Sequence, residues 1–243
     1  RWRVAGMAAL VAVVVGLGMP LITLGYDQTV AQHRSFYERA VIGGSAVNTL
    51  TSTQPLESHF NNNALPIVIR RLLSPLNAGR WSLREEFRVN IGDFSPQTRL
   101  AVFGVVLSVF ILVSVVVALR RSRPWPPDTA DAAQSVRAQF GVWCCLMLLT
   151  SPLVWTHYLP LAYWPLALLS DWMVRARRTE PRVFVICATA LAAWAVGALV
   201  LAWPPARAAG AQLASVACVW VALVALSWAR GGRASGVVHR PGP

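Results

Sequence analysis

A long apolar run in this chain is interrupted in its middle by residues that are unusual inside a membrane: Ser151, Pro152, Trp155, His157 and Tyr158. Lipid offers no water to backbone groups, so a broken segment at that depth needs protein or a wet cavity around it. An ionisable side chain there is a candidate functional group, and a histidine can gain and lose a proton near neutral pH. His157 is therefore the first candidate for proton chemistry.

Each of these side chains also has a structural interpretation. His157 could donate a hydrogen bond to a carbonyl group that Pro152 leaves free, because proline has no backbone N–H. Trp155 and Tyr158 could belong to the belt of aromatic residues at the membrane interface. The residues by themselves leave both interpretations open.

A second segment combines a helix start with two arginines. Asn62 and Asn63 can cap a helix by accepting an orphan backbone N–H, and Pro75 marks its end. With about 12 residues the helix is too short to span a membrane, so it lies in the interface or dips into it. Together with Arg70 and Arg71 it is either an amphipathic surface helix or a helix that faces a substrate. Its apolar side chains have helical spacing: Leu65, Val68, Ile69, Leu72 and Leu76.

Composition sets the fold class that must position these residues. Hydrophobic residues make up 56% of the chain, charged residues 13%, and the mean hydropathy is +0.51, which is typical of an integral membrane protein. The sequence predicts an all-α, polytopic transmembrane helical bundle of about six spans. Four of them are continuous and two flank the break: Val4 to Leu24, Leu100 to Leu119, Ala138 to Thr150, Tyr158 to Trp172, Val183 to Trp203 and Ala211 to Ala229.

The placement of arginine, the residue type of all 22 basic positions, orients these spans. The connections at 120–137 and 175–182 are arginine-rich, as are both ends of the chain, whereas the connections on the opposite side carry few charges. Cytoplasmic loops favour arginine, so both termini are predicted to be cytoplasmic. Residues 1–24 then form the first span and residues 231–243 a cytoplasmic tail.

The same topology makes residues 25–98 a long extracytoplasmic loop with amphipathic helices, one of them over Gln28 to Val41. Residues 99–230 form the bundle, with the broken helix at 150–158 opening to the same face as the loop. The two regions can therefore build one site together. The net charge of +12 reflects arginines at lipid headgroups and in the external loop, where they either bind a phosphate-bearing lipid or contact solvent and headgroups.

The sequence lacks the motifs of metal sites and of nucleotide-binding sites. The four histidines have no metal-ligand spacing, the four cysteines lie in apolar spans, and no nucleotide-binding glycine motif is present. We therefore expect no metal site and no cofactor. Nucleic-acid binding is not expected either, since there is no basic folded domain to carry it.

The order of the two candidate segments resembles glycosyltransferase family 87, a group of polytopic membrane enzymes of the GT-C type. The resemblance rests on the asparagine-led helix followed by Arg70 and Arg71, and on the later Ser-Pro-x-x-Trp-x-His-Tyr sequence ending at Tyr158. It covers roughly residues 30–170. Val154 and Tyr158 replace a serine and a second histidine of the family pattern, so Trp155 and His157 carry the match.

The resemblance implies transfer of a hexose, often mannose, from a polyprenyl-phosphate sugar to a lipid or glycan acceptor at the outer face of a bacterial plasma (inner) membrane. The family's catalytic carboxylate follows its first helix, and the chain opens at Arg1, so we expect an N-terminally truncated part of such an enzyme. Asp27, just after the first span visible here, is a weaker candidate for that base.

The resemblance also implies roles for single residues. His157 is the candidate catalytic residue, donating a hydrogen bond to phosphate or carrying a proton. Trp155 is a candidate stacking platform for the sugar. The candidate substrate-binding residues are Asn62, Asn63, Arg70, Arg71, Trp155 and Tyr158. A non-catalytic membrane scaffold and a transporter or flippase subunit are the alternatives; a transporter should show more charge inside the membrane and some internal symmetry.

Overall fold

The computed structural model describes residues 6–7, 10–11, 13–38, 45–51, 63–75, 88–120, 130–151, 160–200 and 202–233. Within these ranges the regular structure is entirely helical, which confirms the predicted all-α class. The chain divides into two compact units, residues 1–48 and residues 49–243, and each is described by itself.

The first unit contains a π-helical segment, Val14–Gly18, that continues into α1 (Met19–Leu24) and is followed by α2 (Tyr26–Phe36). Gly25 joins the two α-helices with a φ of 78°, a backbone conformation that glycine adopts without a steric cost. The predicted span from Val4 to Leu24 is thus helical in its described part.

The second unit is a bundle that contains three helices long and apolar enough to cross a membrane within the described ranges. They match three predicted spans and confirm the prediction of a membrane protein with transmembrane helices. The helices of this unit, which begins within α3, are α3 (Ala46–Thr51), α4 (Leu65–Leu72), α5 (Pro96–Arg120), α6 (Ala130–Thr150), α7 (Tyr163–Ala176), α8 (Pro181–Val200), α9 (Pro204–Ala208) and α10 (Ala211–Arg233); the three long apolar ones are α5, α8 and α10.

Helix α10 lies at the centre of the bundle, where it contacts α5, α6, α7 and α8. Its Trp220 donates a hydrogen bond from Nε1 to Ser114 Oγ at 3.0 Å and meets the ring of Phe110 edge-on. Leu213, near its start, packs in the same cluster as Leu100. Residues near the start of α10 lie close to residues near the start of α5, and residues further along α10 contact residues further along α5. The two helices therefore run parallel. We call the end where both begin the α4 end of the bundle.

Helices α8 and α10 approach each other closely at Gly197. A methyl group added there would overlap the hydroxyl group of Ser215. The Ser215 hydroxyl donates across the interface to the carbonyl of Ala193 at 3.2 Å and, within α10, to that of Ala211 at 2.9 Å. Small residues at such a crossing are the usual way for membrane helices to pack backbone against backbone.

Two helices flank the predicted break. Helix α6 ends at Thr150, as predicted, and begins eight residues before the predicted start at Ala138, whereas α7 spans Tyr163–Ala176; its predicted start at Tyr158 lies outside the described residues. Trp164 donates from Nε1 to the carbonyl of Arg137 at 3.3 Å. Because Arg137 lies about 20 Å from the end of α6, at 1.5 Å per residue, α7 starts well inside the length of the bundle.

Candidate functional site

Helix α4 is enclosed by protein instead of lying on the surface of the bundle. Every residue from Leu65 to Arg71 is buried. Leu65 and Ile69 pack with Leu50 of α3 in one cluster, and partly buried side chains of α5 and α10 cover the same cluster. The predicted apolar stripe is therefore present, but it faces the bundle and not the lipid interface.

Backbone geometry explains where α4 begins and ends. Ala64 precedes it in an extended conformation, and Pro66 occupies the first turn, where its missing N–H costs nothing. At the other end, the carbonyl groups of Leu72 and Leu73 accept hydrogen bonds at 2.8 and 3.0 Å from the backbone N–H groups of Ile91 and Phe94. The returning chain thus satisfies carbonyl groups that the helix itself leaves free.

Asn63 and Gln212 connect the start of α4 to the start of α10. Asn63 Nδ2 donates to Gln212 Oε1 at 2.8 Å, and both side chains are buried. Two residues before Gln212, Gly210 has a φ of 88°, and a side chain at that position would collide with Val68 of α4. The connection between α9 and α10 is therefore shaped to receive α4.

Arg71 is fully buried and fixes α4 to α9. Its Nη1 donates to the carbonyl of Ala208 at 3.0 Å. Burial lowers the pKa of the Arg71 guanidinium from 12.5 to about 10, which leaves the group protonated at neutral pH. Arg71 therefore brings a positive charge into the protein and ties two helices together with it.

Arg70 lies beside a second buried arginine, Arg99, in the first turn of α5. The two side chains are 2% and 7% exposed, so both guanidinium groups have lost most of their water. Burial, and then the charge of Arg99, lower the pKa of Arg70 to about 10. The pair concentrates positive charge at the α4 end of the bundle, close to where the apolar span of α5 begins. Such a pair can hold an anion.

The remaining predicted site residues lie elsewhere. Asn62, Trp155, His157 and Tyr158 fall outside the described residues. Asp27 is exposed in the first turn of α2, in the first unit. Of the sequence-predicted set, the structure therefore brings together Arg70 and Arg71 on α4 and Asn63 two residues before the start of this helix.

Sequence reasoning did not select Gln212 or the carbonyl of Ala208 as parts of this site, and it included Arg99 only in the general group of external arginines that could bind a phosphate-bearing lipid. Arg99 offered a signal, since it is a charged residue in the first turn of an otherwise apolar span. Gln212 offered none, because its partner Asn63 is 149 positions away.

In the described part of the chain, no group of three or more histidine, cysteine, aspartate or glutamate side chains could hold a metal ion. The buried polar side chains around α4 are thus arginines and amides. Comparison with protein-family models, with curated proteins and with solved structures finds no match to this chain.

Proposed function

We propose that this membrane protein is a glycosyltransferase of the bacterial plasma membrane. It transfers a hexose, such as mannose, from a polyprenyl-phosphate sugar to a lipid or glycan acceptor at the outer face. The observation that carries the proposal is the position of α4, whose Arg70 and Arg71 are buried, positively charged and located where the apolar spans of α5 and α10 begin. A lipid phosphate in the membrane lies at a comparable depth.

Topology supports an extracytoplasmic position for this end. The end of α5 at Arg120 and the junction of α7 with α8 lie at the end of the helices opposite to α4, and the sequence next to both is rich in arginine, as cytoplasmic loops are. Both visible termini are then cytoplasmic.

The end of α6 favours bringing the broken segment to the same face. Gly141 of α6 faces Leu223 of α10. Helix α6 follows α5 through a short connection and runs back along the bundle, so its last residue, Thr150, lies about 14 Å from Gly141 in the direction of the α4 end. His157, Trp155 and Tyr158 follow shortly after Thr150 in the sequence.

The proposed reaction needs three contributions. The acceptor hydroxyl attacks the anomeric carbon, the bond from that carbon to the phosphate oxygen breaks, and polyprenyl phosphate leaves with the bonding electrons. Arginine stabilises the charge that grows on the phosphate, because preorganised donors act most strongly where water is excluded. A carboxylate takes the hydroxyl proton, and His157 donates a hydrogen bond to the phosphate.

The proposal is tested with His157→Ala in the membrane-inserted protein. Transfer of labelled hexose from a polyprenyl-phosphate donor in membranes should fall at least tenfold, with the amount of inserted protein unchanged, because one donor to the transition-state charge is removed. His33→Ala is the matched control, since it removes a histidine of α2 that binds the carbonyl of Thr29 within its own helix.

Unchanged transfer in His157→Ala would remove His157 from the site. If replacing Arg70 also leaves every measurable property unchanged, the non-catalytic scaffold becomes the better explanation. A transporter or flippase would instead move the lipid across vesicle membranes without forming a new glycosidic bond.

A further inference from the structure

The side chain of Arg99 is a buried polar group of the bundle that the packing of the helices does not explain. Its Nε is buried, and among the residues that the structure describes it has no hydrogen-bond acceptor. A buried cationic donor without an acceptor is costly, and in native proteins such a group often marks the place of a ligand or ion. Arg99 therefore requires an explanation that packing alone does not give.

The neighbours of Arg99 increase the positive character of this place. Leu100, the next residue, packs in the cluster that contains Ile69, and Ile69 precedes Arg70. The contact between α4 and α5 thus brings the two arginines close enough for the charge of Arg99 to act on Arg70. Arg99 also lies in the first turn of the 25-residue helix α5, where the helix dipole adds partial positive charge. The Ser95 hydroxyl accepts the N–H of Thr98 at 3.2 Å and so caps this end.

Arg71 has a different role from its neighbour. Its Nη1 is committed to the carbonyl of Ala208 on α9, which holds α4 in place. Adjacent residues on a helix point about 100° apart, so Arg70 and Arg71 face different surroundings. Arg71, which tethers α4 to α9, and Arg70, which lies near Arg99, therefore have different roles.

We propose that Arg99 and Arg70 form a binding site for a phosphate group at the α4 end of the bundle, with Arg71 as the tether that positions α4. Two guanidinium forks match the several oxygens and the double charge of a phosphate monoester better than the single charge of a carboxylate. The position of Arg99, in the first turn of a membrane span, is the level of lipid headgroups. The phosphate therefore belongs to a lipid or comes from solution. This inference deepens the proposed function by naming Arg99 as a contact to the phosphate.

The site is tested by calorimetric titration of the purified full chain in detergent. The probes are a short polyprenyl phosphate, the matching uncharged polyprenol and inorganic phosphate. Arg99→Met should weaken binding of the polyprenyl phosphate at least tenfold, and Arg99→Lys should weaken it less, because lysine keeps the charge but loses the fork. Arg88→Met is the matched control, since Arg88 is an exposed arginine of the segment that leads to α5.

Each result has a defined meaning. Arg99-dependent binding of polyprenyl phosphate but not of polyprenol supports a lipid phosphate, and equal Arg99-dependent binding of inorganic phosphate supports the site with free phosphate as its ligand. Equal affinities of Arg99→Met and Arg88→Met, or binding of polyprenol as tight as that of the phosphate, overturn the inference. If Arg99→Met does not fold in a thermal unfolding assay, Arg99→Lys and Arg70→Met carry the same comparison.

The inference and the proposed function can fail separately. Arg99-dependent phosphate binding in a protein that transfers no sugar would remove the glycosyltransferase proposal and keep the site. Sugar transfer that is unaffected by Arg99→Met would remove the site and keep the enzyme.

Discussion

Leu223 at the centre of the bundle and Asn63 and Arg71 at the corner around α4 are equally inaccessible to solvent. Leu223 packs among apolar side chains of α6, α7 and α8. Asn63 and Arg71 instead bind Gln212 and the carbonyl of Ala208 across the α4 corner. A buried apolar residue stabilises the fold wherever it packs well, whereas a buried arginine costs free energy unless its charge is compensated.

This difference separates the centre of the bundle, which apolar packing holds together, from the region around α4, where we propose that a phosphate binds. The centre is explained by packing alone. The region around α4 contains the buried, positively charged side chains of Arg70, Arg71 and Arg99, which apolar packing does not explain. A bound phosphate, as we propose, compensates part of this charge. Three changes to the protein test how far this distinction holds, and they are ordered by the size of the expected effect.

The largest effect is expected at the closest helix crossing. Gly197→Leu should destabilise the folded protein by about 3 kcal/mol or more, because the new side chain would collide with Ser215 and force α8 away from α10. Thermal unfolding in detergent measures the change. Gly104→Leu is the control, since no heavy atom lies within 4 Å of a methyl group placed there. Equal effects of the two variants would mean that α8 and α10 are not held at this crossing.

A smaller effect is expected at the polar corner. Asn63→Ala and Gln212→Ala should each destabilise the protein, and the double variant should lose about 1 kcal/mol less than the sum, since both remove the same hydrogen bond. A double-mutant cycle of unfolding free energies measures this coupling. If the losses of unfolding free energy in the two single variants simply add in the double variant, the hydrogen bond between Asn63 and Gln212 is absent. The position of α4 against the start of α10 would then be wrong as well.

The smallest effect is expected at the polar contact in the centre. Ser114→Ala removes the acceptor of the Trp220 indole N–H and should cost about 0.6 kcal/mol, the average for hydrogen bonds between membrane helices. Ser108→Ala, at an exposed position of the same helix, is the control for the lost hydroxyl. A loss as large as that of the corner pair would show that the centre also depends on polar contacts, and the contrast between the two regions would weaken.

Much of the fold could be predicted because a membrane span depends on composition and length. The predicted spans that start at Leu100, Val183 and Ala211 differ from the observed helices by at most four residues at the N-terminal end. The short helix that carries Arg70 was predicted for the same reason, since its apolar residues follow a helical period. These signals are local and can be read from one sequence.

The contacts of the site could not be predicted in this way. The positions of Asn63 and Gln212 are 149 residues apart, and nothing in either local sequence indicates the other. Burial of α4 on all sides depends on α9 and α10, so the choice between a surface helix and an enclosed one needed tertiary information.

The long separation between Asn63 and Gln212 has a consequence for biosynthesis. At translation rates of about 5–20 residues per second, α10 leaves the ribosome roughly 7–30 s after α4. During that interval α4 has neither the Gln212 amide nor the Ala208 carbonyl to bind, and its apolar stripe and arginines face the translocation machinery or the membrane surface. The contacts of Asn63 and Arg71 can form only after α9 and the start of α10 have been synthesised, so they couple the docking of α4 to the arrival of these later helices.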